Sequence, residues 1–124
     1  MEKAKEFMDL IVWQKGHALV LFVYTITKKL PSEEKFGLSS QIQRASVSIT
    51  SNIAEGFGRK GEKEKIQFYY MAHGSLTEVM NLSFVLRDTK LITEEEYQQL
   101  DDLLINTNRL LLGLIKSIIN SKEI

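Results

Sequence analysis

The sequence predicts an all-α protein, an antiparallel up-down-up-down four-helix bundle. Three observations carry that expectation. Four stretches repeat apolar residues at steps of three and four. The breaks between them are short and marked by Pro31, by Gly56, Gly58 and Gly61, and by Thr93. No stretch alternates apolar and polar residues with the two-residue period of a strand, and no Asn-Gly or Asp-Gly hairpin pair occurs.

The first helix is expected from about Asp9 to Leu30, with Asp9 as its N-cap. Val12, Leu19, Phe22, Val23, Ile26 and Leu30 supply its apolar stripe, and Lys28 and Lys29 suit the negative end of its dipole. Gly16 inside it suggests a close contact with a neighbour. Pro31 to Glu34 reads as a turn, and Gly37 breaks the pattern. The second helix is expected over 38–57, with the glycines that follow acting as its stop. It is crowded with small residues on more than one face, from Ala45 to Gly56, so neighbouring backbones can approach it closely.

The third helix is expected over 62–89, with Tyr69, Ala72, Leu76, Val79, Ser83 and Leu86 as its stripe and Gly74 as another close approach. The fourth is expected over 93–121. Thr93 and Glu96 have the spacing of a capping box, and Glu94, Glu95 and Glu96 face the positive end of the dipole. Tyr97, Leu100, Leu104, Thr107, Leu111, Leu114 and Ile118 alternate at three and four, as in a coiled-coil seam. Leu103, Leu110, Leu112, Ile115 and Ile119 add apolar surface that one small bundle does not easily bury.

The 124 residues are expected to form a single domain, long enough to bury a core without staples. With no cysteine, disulfides, thiolate metal sites and cysteine nucleophiles are excluded. The first residues lack the apolar run of a signal peptide, and no apolar stretch approaches a membrane span, so a cytoplasmic location with no membrane partner is expected. Formal net charge is zero but unevenly spread. Residues 28–65 hold eight Lys or Arg against five acids, and residues 66–124 hold five against eight. Nucleic-acid binding would therefore need a local basic patch.

Candidate chemistry is sparse. His17 and His73 lie on different helices and read as structural residues. No HExxH, Glu-x-x-His, GxSxG or Ser-His-Asp arrangement occurs, which argues against a metal centre, a cofactor or an enzyme. Glu55 and Glu78 are expected to pair with Arg44 or Arg87, within the chain or between subunits. The segment Gly56 to Gly61 lacks phosphate-loop spacing and reads as an interhelical turn. Arg59, Lys60, Lys63 and Lys65 form a short basic segment where a phosphate backbone could dock.

Four blocks carry a family resemblance: Asp9-Leu10-x-Val12-Trp13-Gln14-Lys15, Gly37 to Ala45, Ser48-Ile49-x-Ser51-Asn52-Ile53-Ala54-Glu55-Gly56, and Ala72-x-Gly74-Ser75-Leu76-x-Glu78. Together they resemble the bacterial four-helix-bundle proteins first named for reading frames in intervening sequences of 23S ribosomal RNA genes. The resemblance spans about Asp9 to Leu114. It implies an antiparallel bundle and, as in several members, a ring-shaped homopentamer, in a family for which no enzymatic activity is established. It also implies kinship with accessory proteins of diversity-generating retroelements, which use a basic barrel to engage nucleic acid and a reverse transcriptase. Two positions depart from the family's usual pattern. Thr50 stands where proline is usual, and Gly16 where alanine is usual. Zero net charge also differs from the strongly basic retroelement relatives.

The expected function is that of a non-enzymatic, self-associating binding or scaffold module. Arg44, Ser48, Asn52, Glu55, Gly74 and Glu78 are assigned to structural or subunit contacts. The alternative is an RNA- or DNA-binding accessory protein, with Arg44, Arg59, Lys60, Lys63 and Lys65 contacting phosphates. A metal-dependent nuclease using Glu55 is the remote third reading.

Overall fold

Four helices account for most of the chain in the computed structural model, which describes residues 3–121: α1 (Ile11–Thr27), α2 (Ser40–Gly58), α3 (Glu62–Asp88) and α4 (Glu94–Ser121). No strand occurs among the described residues. Side-chain pairs fix the topology. Gln43 on α2 reaches Thr27 on α1, and Thr50 faces Gly16, so α1 and α2 are antiparallel. Ser75 meets Ser48, and Tyr69 meets Gly56, so α3 runs back along α2. Phe84 lies near Tyr97, and His73 bonds Asn108, so α4 runs back along α3. Lys29 pairs with Glu96 and Gly16 faces Thr107, which closes α4 against α1. The result is an up-down-up-down bundle in which each helix touches its sequence neighbours and the ring is closed.

The core follows the periodicity. On α2, Ile42, Ala45, Ile49, Ile53 and Gly56 are buried. All six stripe residues of α3, from Tyr69 to Leu86, are buried as well. On α4, Leu100, Leu104, Thr107 and Leu111 are buried, while Tyr97, Leu114 and Ile118 pack half-buried against them. Ile115, expected to lie outside the seam, is 3% exposed and belongs to the core. It sits one turn beyond Leu111 on the same face.

The ends of the helices differ from the sequence expectations in instructive ways. α1 starts at Ile11, because Asp9 closes a separate 3-10 turn (Phe7–Asp9). Its carboxylate accepts from the backbone N–H groups of Lys5 and Glu6 and so is not the cap of α1. α1 stops at Thr27, and Lys29 turns to Glu96 on α4. A 3-10 turn (Ser32–Glu34) and a wide π-type turn (Lys35–Ser39), interrupted at Gly37, lead into α2. The glycines after α2 do not supply a left-handed stop, since no described glycine has positive φ. Arg59 leaves α2 in extended conformation instead. The left-handed stop falls on Lys90 (φ 61), after α3, where the Leu91 N–H returns to the Leu86 carbonyl over six residues. α2 itself is assigned as one helix through Thr50.

Two glycines expected to mark close approach behave oppositely. A Cβ on Gly56 would lie 2.7 Å from the Tyr69 ring, so the α2 backbone rests directly on that ring. Gly74 is exposed, with nothing within 4 Å of a Cβ, which corrects the expected close contact there. Gly56→Ala is therefore expected to destabilise by about 1–3 kcal/mol through overpacking, and Gly74→Ala to stabilise by up to ~1 kcal/mol through helix propensity. Urea unfolding of the two variants measures both signs.

α4 begins with the capping box. The Glu96 N–H donates to Thr93 Oγ1 at 3.0 Å, and the Thr93 N–H donates to Glu96 Oε1 at 2.9 Å. That backbone donor, and then Lys29, hold the Glu96 carboxyl below its ordinary value of 4.5. A depressed folded value means the stabilisation is complete above pH 4.5 and is lost as the pH falls through the folded value. Thr93→Ala should cost about 1 kcal/mol at neutral pH. Glu96→Gln should flatten this part of the acid-unfolding profile, read by circular dichroism against pH.

Candidate functional site

The exit of α2 gathers four of the five cations assigned to phosphate contact. The first turn of α3 brings Lys63 and Lys65 back toward the end of α2. Lys65 Nζ donates to the Phe57 carbonyl at 2.6 Å and the Gly56 carbonyl at 3.3 Å. It thus caps α2, whose last carbonyls have no partner within the helix. The Arg59 guanidinium bonds Glu55 at 3.2 Å and lies 4.6 Å over the Phe68 ring. Lys60 and Lys63 remain exposed and form no ion pair among the described residues. Arg44 does not join this group. It lies fifteen residues up α2, about 22 Å along the axis at ~1.5 Å per residue.

The +3 charge of residues 28–65 is also dispersed. Residues 28–35 carry three Lys against two Glu, Arg44 stands alone, and residues 55–65 carry four cations against three Glu. Each place contributes +1. The excess of this run is thus divided along the bundle rather than gathered at one place.

The residues assigned to structural contacts separate into two groups. Asn52 Nδ2 donates to the Ser48 carbonyl and to Ser48 Oγ, and Ser75 Oγ donates to Ser48 Oγ at 2.9 Å. This half-buried network ties α2 to α3 one and two turns above Gly56. Arg44, Gly74 and Glu78 instead face solvent, and Arg44 and Glu78 form no ion pair among the described residues. Glu55 pairs with Arg59, and Arg87 with Asp88 at 2.8 Å, rather than in the combinations expected from sequence. That hydrogen bond holds the Asp88 carboxyl below its ordinary range. Partners one or four residues apart at a helix end satisfy these charges more easily than partners on other helices.

Both histidines have ordinary surroundings. His17 stacks on Trp13 at 4.8 Å, and Trp13 meets Phe7 edge-on. His73 Nδ1 bonds Asn108 Oδ1 at 2.9 Å. Among the described residues no group of three His, Cys, Asp or Glu could hold a metal ion. No helix among them is long and apolar enough to cross a membrane.

Two concave places were not legible in the sequence. A shallow groove of about 630 Å³ runs between Phe7 and the last turns of α2, past Ser51, Ala54 and Glu55. A second pocket, of about 280 Å³, lies at the opposite end of the bundle where α1 gives way to α2. Both depend on how the irregular turns fold back, which periodicity does not report. The run of Lys28, Lys29, Ser32 and Lys35 was the available signal for the second.

Apolar residues also remain on the surface. Ile105, Leu112 and Ile119 recur every seven residues on α4 and are 54, 40 and 40% exposed. They share a flank with Asn108, which faces α3 through His73. Tyr70 and Phe84 of α3 are also exposed, as are Ile11, Leu21 and Tyr24 of α1.

Comparison with known proteins decides the lineage. The family model described as 23S rRNA-intervening sequence protein matches residues 8–113. The chain belongs to this family. A solved structure from the S23 ribosomal protein family, a protein of unknown function from Bacteroides thetaiotaomicron, is 28% identical. The alignment covers 86% of this chain and 96% of that one, with a TM-score of 0.80. Among curated proteins no match was found. The family assignment agrees with the four sequence blocks, and the bundle it implies is the one observed.

Proposed function

We propose that this member of the 23S rRNA-intervening sequence family is a non-enzymatic, self-associating module that works as a cytoplasmic binding or scaffold protein, as a ring-shaped homopentamer. The observation that carries this reading is the exposed Ile105–Leu112–Ile119 row, with Tyr70 and Phe84 exposed on the neighbouring helix. Apolar side chains repeated along one flank of a monomer are what a partner surface covers. A second copy supplies one through the apolar residues of α1, on the other side of α4 from α3. Contact between unlike faces closes into a ring when the rotation closes. The absence of any assembled catalytic set in the sequence favours the non-enzymatic reading.

Multi-angle light scattering is expected to give an assembly of five chains at micromolar concentration. Ile105→Lys combined with Leu112→Lys is expected to yield a folded monomer with unchanged circular dichroism. A wild-type monomer would refute the proposal.

A second reading is favoured by Lys60 and Lys63, which are exposed, without an ion pair among the described residues, and placed at one end of the bundle. Repeated around a ring, they would form a cationic rim able to hold RNA or DNA, alone or with a protein such as a reverse transcriptase. Replacing Lys60 and Lys63 by Ala should weaken binding to a short RNA. The slope of log affinity against log salt should fall by about 0.7–0.9 for each phosphate no longer neutralised. Lys65→Ala should instead lower stability, because its amine caps α2. Filter binding across a salt series, paired with thermal melts, separates the two effects.

A further inference from the structure

We propose that the pocket between the end of α1 and the start of α2 binds a phosphate monoester. Six polar residues are buried in the described structure: Thr27, Ser39, Ser46, Thr50, Ser83 and Thr107. Five of their hydroxyls donate to a backbone carbonyl of the preceding turn. Ser39 is the exception. It is 7% exposed, and its hydroxyl makes no cap bond to α2 and no other hydrogen bond among the described residues. No sealed side-chain polar atom in the described structure lacks a partner, so the Ser39 hydroxyl keeps contact with solvent, and Ser39 lines the pocket. A solvent-touching hydroxyl without a protein partner is free to donate to a ligand that displaces its water.

The rest of the wall has matching chemistry. Lys28, Ser32, Lys35 and Gln43 line the same pocket. Lys28 and Lys35 are exposed and form no ion pair among the described residues, whereas the intervening Lys29 is held by Glu96. The Gln43 amide is fixed by donating to Thr27 Oγ1 at 2.9 Å, so that side of the wall is preset. Ser39 precedes α2 in helical backbone conformation, as the last residue of the π-type turn that runs into it. Of the nearby acids, Glu33 and Glu34 are not in the wall, and Glu34 turns one carboxylate oxygen toward Gly37. Two amines and two serine hydroxyls suit a tetrahedral dianion, which needs several donors at once. The volume, about 280 Å³, takes a phosphate and a small attached group.

Two sources carry this chemistry: a soluble phosphate ester and a lipid headgroup. Phe36, 89% exposed beside Lys35, is the feature that a lipid surface would engage. The site lies at the end of the bundle opposite Lys60 and Lys63, so its test is independent of the nucleic-acid reading.

Isothermal titration of the full chain with glycerol 3-phosphate, at constant ionic strength set by chloride, is expected to show saturable binding. Lys28→Gln with Lys35→Gln should weaken it by about tenfold or more, and Ser39→Ala by about tenfold. Lys60→Gln with Lys63→Gln should leave it unchanged. Circular dichroism and ligand-free melts check that each variant is folded. A parallel flotation assay uses phosphatidylcholine vesicles with and without phosphatidic acid. Binding to acidic vesicles alone, abolished in Phe36→Ser and in the double lysine variant, assigns the lipid source. Saturable binding of the soluble ester assigns the other. No binding in either assay, or binding indifferent to both the lysine pair and Ser39, overturns the proposal.

Discussion

The structure depends on how closely α2 can lie on α3. Gly56 places bare backbone on the Tyr69 ring, and two turns away Ser75 of α3 donates across the seam to Ser48, which Asn52 holds from within α2. A larger side chain at Gly56 would push the helices apart at that point. The effect would then spread to Ile49, Ile53, Ala72 and Leu76, whose buried faces meet in the shared core. Burial also pushes the Tyr69 phenol above its ordinary range. The ring is thus held as a neutral, close-packed wall for α2. In a closed ring of four helices, the α2–α3 distance also sets where α1 and α4 can meet.

Much of this was legible in the sequence because it rests on local rules. Helical spacing picked out in one stripe six of the seven buried residues of α3 and the buried face of α2, and the Thr93–Glu96 box named its own hydrogen bonds. Where the reading failed, a residue had two local meanings and tertiary context chose between them. Gly16, Gly56 and Gly74 look alike in the sequence, yet the first two face another helix and the third faces solvent. Lys65 counts as a free cation until the turn brings it onto the carbonyls of α2. Asp9 has a cap's composition, but a 3-10 turn two residues upstream of α1 takes its carboxylate. Ile115 looked surplus because the seam was drawn too narrow for a helix buried over a wide arc.

Charge illustrates the same limit on a larger scale. A run of sequence with excess Lys and Arg suggested one basic surface. In the bundle, that run starts at one end of the molecule, climbs α2 and finishes at the other end. Its excess divides equally among three separated places. Binding chemistry at the two ends can therefore differ. One end presents exposed lysines on an open rim, and the other presents lysines over a preset pocket with a buried serine.

Gly16 on α1 and Thr50 on α2 touch. A Cβ at Gly16 would stand 3.1 Å from the Thr50 γ-methyl, while the Thr50 hydroxyl bonds the Val47 carbonyl within an unbroken α2. The methyl occupies the space that alanine would need on α1. The two positions are therefore coupled: a side chain added at residue 16 presses on the Thr50 methyl, so the cost of a substitution at one depends on the residue at the other.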